Sequence, residues 1–490
     1  MIWSANSLRE GRGAQVGGRL SFPNDAVAAE PGSEKFIAPW TLETLVNEAL
    51  VSSTQRNDRQ KIIDTRSWAT FTAFYNLINA IEDAESLDDI KEGEIIDALP
   101  RIAWRQFSWQ RGFVASDRFY RAWYLYNFAE ANEHMILSHG ISVERFCYVG
   151  FAIASQLINF PAVRLDTTVS TVGIKDEERD AFFALASVPL AKARKLAALI
   201  RGQSGQIAYK PSLLRTYPLL TINSGDQLEA FCPLPPLLHL RYTDGLFYDL
   251  VSNDNVRRIV SQRFEAYVCD ITGHYFNTNF QVLGETEYGP PARRRATPDI
   301  RLIDNDEKVH AIVECKARRL PFRVLAAAKP IETNPDAFSD IIKGVIQIWR
   351  YASDLRRKVT GESFHLSNRA TGVVLTLDPW VEMYPNVIAQ IIQEARKSCT
   401  GVPEIETCDQ IPISFITIDD WEYCLRNIDA PGFLGSLEAH ARPERAGYML
   451  SFSVAELDYV SDAVEPFDYR SKLSNLVPWW GDLSAQRIPK

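Results

Sequence analysis

The residues from Thr297 to Lys316, TPDIRLIDNDEKVHAIVECK, restrict the fold more than any other stretch of this chain. Ile300 to Ile303 is apolar apart from Arg301, Asp304-Asn305-Asp306 supplies turn residues, and Val309 to Val313 is apolar and rich in β-branched side chains. That is the pattern of two strands joined by a short acidic turn. Side chains alternate across a strand, so Glu314 and Lys316 share one face while Cys315 points to the other. Asp299 opens the first strand, where hairpin pairing brings its carboxylate close to Glu314.

Two carboxylates beside one lysine are the groups that metal-assisted phosphodiester hydrolysis uses. The acids hold a hard divalent cation, and the lysine steadies the attacking water as its ammonium or deprotonates it as its free amine, and offsets charge at phosphorus. Each residue also has a plainer reading: Asp299 as a strand-opening cap, Glu314 and Lys316 as solvated charges at a strand end. Asp304, Asp306 and Glu307 belong to the turn and are set aside. Cys315 is expected to face the core as a quiet thiol.

Pro298-Asp299 followed by Glu314-Cys315-Lys316 resembles the signature of the PD-(D/E)xK nuclease superfamily, the fold of many restriction enzymes and of the RecB-type repair nucleases. The neighbouring segments extend the resemblance. Ile341 to Arg357 is amphipathic and carries Gln347 and Tyr351, four apart on one helix face, as in the QxxxY element of the RecB-like branch. A helical segment, Val256 to Ile271, precedes the hairpin, and its Glu265 falls where many members carry an additional metal- or water-binding glutamate. The order helix, strand (Phe280 to Tyr288), strand, strand, helix, strand (Ala370 to Leu377) is the family's core order, and the resemblance covers about residues 255 to 425. It implies an α/β fold with a restriction-endonuclease-like mixed sheet. It also implies Mg2+ or Mn2+ held by Asp299, Glu314, the backbone carbonyl of Cys315 and Glu265. Asp299, Glu314, Lys316 and Gln347 are then the catalytic set, with products bearing 5′-phosphate and 3′-hydroxyl ends. From the residues alone, Glu265 beside Gln262 and Arg263 also fits a water-facing helix. Gln347 likewise fits a polar helix position, and Tyr351 a packing residue with a polar tip.

The net charge of −9 does not exclude a nucleic-acid partner, because binding responds to local potential rather than to the total. Basic residues gather around the hairpin: Arg293, Arg294 and Arg295 before it, Arg318, Arg319 and Arg323 after it, then Arg350, Arg356, Arg357 and Lys358. They read either as phosphate contacts, chiefly Arg294, Arg295, Arg318, Arg319 and Arg350 together with Tyr351, or as a solvated face paired with acids. DNA is expected before RNA. The resemblance points to antiphage defence or restriction; the competing readings are a repair or recombination nuclease acting on ends or branches, and a non-catalytic nucleic-acid-binding or assembly protein.

At 490 residues the chain is expected to form more than one domain. It divides by composition into a flexible N-terminal arm (1–35), a helical assembly or recognition domain (36–205), a connector (206–254), the nuclease-like domain (255–430) and a C-terminal extension (431–490). Helices are expected from Thr41 towards Ser53, and from Ser67 to Glu82 with Phe71, Phe74, Leu77 and Ile81 inward. The aromatic run Phe113 to Phe128 reads as bundle core, the alternative being a base-stacking surface. The helical domain is where a second copy or a partner protein would bind. No apolar run reaches the roughly 18 residues of a membrane span. The first residues lack the apolar core of a signal peptide, and seven scattered cysteines fit a reducing cytoplasm. No CxxC or HxxxH spacing argues for zinc.

Overall fold

A computed structural model describes residues 1–26, 30–52, 63–91, 95–276, 280–320, 324, 327, 330–379, 381, 383–456 and 464–476. The chain forms two compact units, Met1–Ile95 with Arg105–Arg257, and Ile96–Trp104 with Arg258–Lys490. Both are mixed α/β. No helix among the described residues is long and apolar enough to cross a membrane.

In the first unit the N-terminal residues are no loose arm. Ile2–Arg9 is a helix, the Trp3 indole donates to the carbonyl of Leu157 at 2.9 Å, and Ala5, Val16 and Leu20 sit in the same core as Leu42, Val46 and Phe71. Widely spaced apolar residues among glycines were enough to anchor the segment. The segment from 206 to 254 is likewise not a connector. Gln227–Phe231 lies inside a four-stranded sheet with Ala162–Arg164, Leu219–Ser224 and Ser187–Pro189. Pro235 and Pro236 open the helix Pro235–Tyr242, where a missing N–H costs little. In the helix Trp68–Lys91 the buried face is Phe71, Tyr75 and Ile78, with Leu77 56% exposed, so the inward face is turned from the expected one. Tyr75 wins the inward position because its hydroxyl accepts the amide of Ala38 at 2.8 Å. Phe119, Tyr120, Trp123 and Tyr126 are buried, which makes the aromatic run core rather than a stacking surface.

In the second unit, helix α1 (Asp254–Tyr275) precedes strands β1 (Phe280–Gly284), β2 (Ile300–Asp304) and β3 (Lys308–Lys316). Helix α2 (Pro335–Arg356), strand β4 (His365–Thr376), helix α3 (Pro385–Cys399) and strand β5 (Ile413–Thr417) follow. Helices α4 (Ile418–Asn427) and α5 (Ala430–His440) come next. The sheet order is β5-β4-β3-β2-β1; β1, β2 and β3 pair antiparallel, and β3, β4 and β5 pair parallel. The parallel pairs have α2 and α3 as their crossovers, as parallel neighbours require. Helix α2 packs across β3 and β4, and Ile303, Ile312, Val345, Ile348, Val374 and Ile391 share its core.

Residues beyond 430 belong to this unit rather than to an appendage: Phe433 and Leu437 are buried, and Phe433 meets Trp421 edge-on at 4.8 Å. A further helix is formed over Leu450–Glu456. Arg323 and the Pro478-Trp479-Trp480 tail lie outside the described residues.

Candidate active site

The site is set by strand register. Ile300 stands opposite Val313, and one further step along the antiparallel pair puts Asp299 opposite Glu314, where directly facing Cβ atoms lie about 5 Å apart. The Asp299 Oδ2 accepts the backbone N–H of Cys315 at 2.6 Å, which locks the carboxylate onto the end of β3. Lys316 Nζ donates to Glu314 Oε2 at 2.9 Å and to Gln347 Oε1 of α2 at 3.3 Å. Glu314 is 2% exposed and Asp299 8%, so the cluster sits in a poorly solvated recess. Cys315 is buried on the opposite face, and burial pushes its thiol well above the usual range.

Helix α2 reaches the lysine because of Gly344. A Cβ there would lie 3.0 Å from Lys316 Cε and 3.7 Å from Glu314 Cβ. Glycine inside a helix costs about 1 kcal/mol relative to alanine, and here its bare backbone leaves the space that Lys316 fills.

The charges do not balance. Burial, then Asp299, push Glu314 up to about 8 against the pull of Lys316. Burial raises Asp299 to about 6, with Lys316 and the Cys315 amide opposing. The half-buried Glu265 of α1 is pushed up to about 8 by burial, then by Asp299 and Glu285. Burial of Lys316 works to lower its pKa, but Glu314 and Asp299 outweigh it and hold the ammonium above its usual value. That Glu314 and Lys316 both rise is no contradiction. The lysine feels several acids, each acid feels one lysine, and the cluster as a whole lacks positive charge.

A divalent cation would supply that charge. Oδ1 of Asp299 and Oε1 of Glu314 carry no hydrogen bond among the described residues. No three His, Cys, Asp or Glu side chains among those residues form a ready-made cage. Two carboxylates with free oxygens are a number that Mg2+, which keeps several waters, can use.

The remaining expected residues divide sharply. Arg350 is exposed one turn after Gln347 and has no ion pair among the described residues. Arg294 pairs with Glu287 at 2.6 Å and Arg318 with Asp340 at 2.8 Å, all at the surface. Arg295 donates to the buried Asp354. The nucleic-acid role expected of Arg319 and Tyr351 does not fit their positions. The Arg319 side chain is 9% exposed and paired with Asp378. Tyr351 is 2% exposed, its hydroxyl donating to Glu362 at 2.8 Å and accepting from Arg301 at 3.3 Å. Arg356 is bound to Asp409 and Glu406, and Arg357 approaches Asp354. For these residues pairing with acids prevails over the phosphate-binding reading.

Sequence reasoning missed Gly344, Arg301, Glu362 and Asp354. A glycine inside a strongly amphipathic helix, and an arginine inside an apolar strand, were the available signals. Comparison with protein-family profiles, curated proteins and solved structures finds no match for this chain.

Proposed function

We propose that this chain is a divalent-metal-dependent nuclease that hydrolyses phosphodiester bonds of DNA, built on a restriction-endonuclease-like variant of its mixed sheet. The observation that carries the reading is the meeting of Asp299, Glu314 and Lys316 at one end of the β2/β3 hairpin, with more buried acid than base. The helix–three-strand–helix–strand order and the Gln347–Lys316 bond support it.

Asp299 and Glu314 would hold Mg2+ or Mn2+, with the backbone carbonyl of Cys315, the residue after Glu314, as a further oxygen donor; Glu265 of α1 would bind a water beside them, since no three acids among the described residues gather as a cage. A cation so held lowers the pKa of a bound water and offsets charge on the phosphate. Lys316, kept protonated by its acids and aimed by Gln347, would have its third N–H left to hold the attacking water in line. Water adds to phosphorus and gives up a proton to solvent, the P–O3′ bond breaks, and the leaving oxygen takes a proton from solvent. The setting in antiphage defence or restriction follows from the family resemblance.

The test is cleavage of plasmid, linear and single-stranded DNA in Mg2+ by the wild type, Lys316→Ala and Asp299→Ala. The wild type is expected to cut, and both variants to lose at least about 100-fold in rate. Cleavage that survives both substitutions sinks the assignment of the site. Cleavage of no nucleic acid with any divalent metal sinks the enzyme.

A further inference from the structure

Between β1 and β2 the chain forms a second, smaller hairpin. Glu287–Tyr288 pairs antiparallel with Arg295–Ala296, Tyr288 facing Arg295. The turn between them, 289–294, reads Gly-Pro-Pro-Ala-Arg-Arg, and every residue of it is exposed. Gly289 adopts a φ of 88°, which other residues disfavour, and Pro290 and Pro291 fix the backbone that follows. The two prolines thus restrict the backbone of the tip.

Its base lies at the candidate site. Thr297 N donates to Thr286 O at 2.8 Å and Thr286 N to Thr297 Oγ1 at 2.9 Å, closing the ribbon two residues before Asp299. Glu285, just outside that closure, is near enough to act electrostatically on Asp299 and Glu265.

The ribbon is clipped to α2 through Asp354, which is fully buried. Asp354 accepts from the Tyr288 hydroxyl at 2.6 Å and from Arg295 Nη1 at 2.9 and 2.7 Å. Asp354 lies two turns beyond Gln347 on the same helix, so Gln347, Tyr351 and Asp354 form one stripe. The stripe fastens the active-site lysine at one end and the ribbon at the other, and a single rigid element sets their separation.

Of the three consecutive arginines, only Arg295 serves this clip. Arg294 meets Glu287 with both side chains more than 60% exposed, an ion pair too solvated to matter for folding. Arg293 has no ion pair among the described residues and is exposed. Two arginines thus stand on a solvent-facing, two-stranded arm whose base lies two residues before Asp299, with no part in holding the fold. A ribbon of that width is an element the major groove of duplex DNA admits.

We infer that the ribbon 286–297 is the arm that grips the substrate, Arg293 and Arg294 contacting backbone phosphates of double-stranded DNA beside the scissile bond, with Asp354 as the positioning residue. The inference rests on the nuclease reading above.

Binding of a short fluorescein-labelled duplex to the full chain in Ca2+, across a salt series, tests it. The double variant Arg293→Ser/Arg294→Ser is expected to keep the wild-type thermal midpoint. Its plot of log affinity against log salt should be shallower by roughly 1.8, about 0.9 for each lost phosphate contact. Asp354→Asn loosens the arm while leaving both arginines in place. It is expected to broaden the distribution of cut positions on an end-labelled duplex in Mg2+. Lower activity with an unaltered cut pattern would reduce Asp354 to a structural role and overturn the positioning claim. Wild-type binding with an unchanged salt slope in the double variant overturns the ribbon alone. A wild type that neither binds nor cuts duplex overturns the nuclease reading and the ribbon with it.

Discussion

The amide oxygen of Gln347 accepts a hydrogen bond from the ammonium of Lys316 at 3.3 Å, joining helix α2 to the end of strand β3. Gly344 leaves room for that approach, since a Cβ there would lie 3.0 Å from Lys316 Cε and the lysine would have to shift. Gln347→Ala removes an acceptor from a charged donor, worth about 1.5–3 kcal/mol. A fall in kcat of about 10- to 100-fold with little change in KM is expected if the bond aims the lysine. Gly344→Ala should give a similar loss by displacing Lys316, although alanine favours the helix. Steady-state kinetics of both variants beside thermal midpoints separates aim from folding. Unchanged kcat in both would remove α2 from the site.

Glu314→Gln is expected to abolish cleavage and yet stabilise the metal-free protein. The carboxylate is buried, and burial and Asp299 both act against its ionised form. An amide of the same shape keeps an acceptor for Lys316 and removes a buried charge, an exchange worth on the order of 1 kcal/mol near pH 8. Thermal unfolding in EDTA reads the sign. A lower midpoint than wild type would mean that Lys316 compensates Glu314 more fully than the surrounding acids allow.

Much of this was legible in the sequence, and the physical reason is local. The β2/β3 hairpin announces itself through alternation and an acidic turn, and register alone then carries Asp299 to Glu314. The apolar run Ala370 to Leu377 marks the second half of β4, whereas its mostly polar start, His365 to Arg369, carries no such signal. The arm and the connector went astray because composition averages over residues. Trp3, Val16 and Leu20 anchor a glycine-rich stretch whose mean character is that of a loop. The arginines misled for a different reason. Whether Arg319 meets a phosphate or Asp378 depends on a partner 59 residues away, and no local pattern encodes that choice. Tyr351 shares its helix face with Gln347 as the spacing requires, but the face runs from the site into the core, where Arg301 and Glu362 claim its hydroxyl.

Arg301 offers a stability test independent of catalysis. It is 1% exposed, donates to the carbonyl of Gly284 at 2.7 Å, and pairs with Glu362 beneath Tyr351. Arg301→Met leaves the Gly284 carbonyl and Glu362 Oε1 without their donor, while Tyr351 still donates to Glu362 Oε2. Breaking a buried pair this way costs about 3–5 kcal/mol. Glu362 remains 21% exposed, so the lower end is expected. Urea unfolding followed by circular dichroism measures it, and a loss below about 1 kcal/mol would show that the guanidinium does not tie β1, β2 and α2 together.

The acids also fix how stability responds to pH. Burial and neighbouring acids raise Glu314 and Glu265 from the ordinary value of 4.5 to about 8. Between those two values the folded, metal-free protein binds more protons than the unfolded chain. Its stability therefore falls as pH rises through that window, is fully present below it, and levels off above about 8. Magnesium displaces protons from the same oxygens, so the stabilisation it gives should grow across the window. In EDTA the thermal midpoint is expected to decline from about pH 5 to about pH 8.5, and the rise on adding Mg2+ should be larger at the alkaline end. Glu314→Gln should flatten both trends, because one of the three raised carboxylates no longer takes up a proton. A metal-free midpoint independent of pH, or a Mg2+ effect that shrinks as pH rises, would show that these carboxylates are not the cation's ligands.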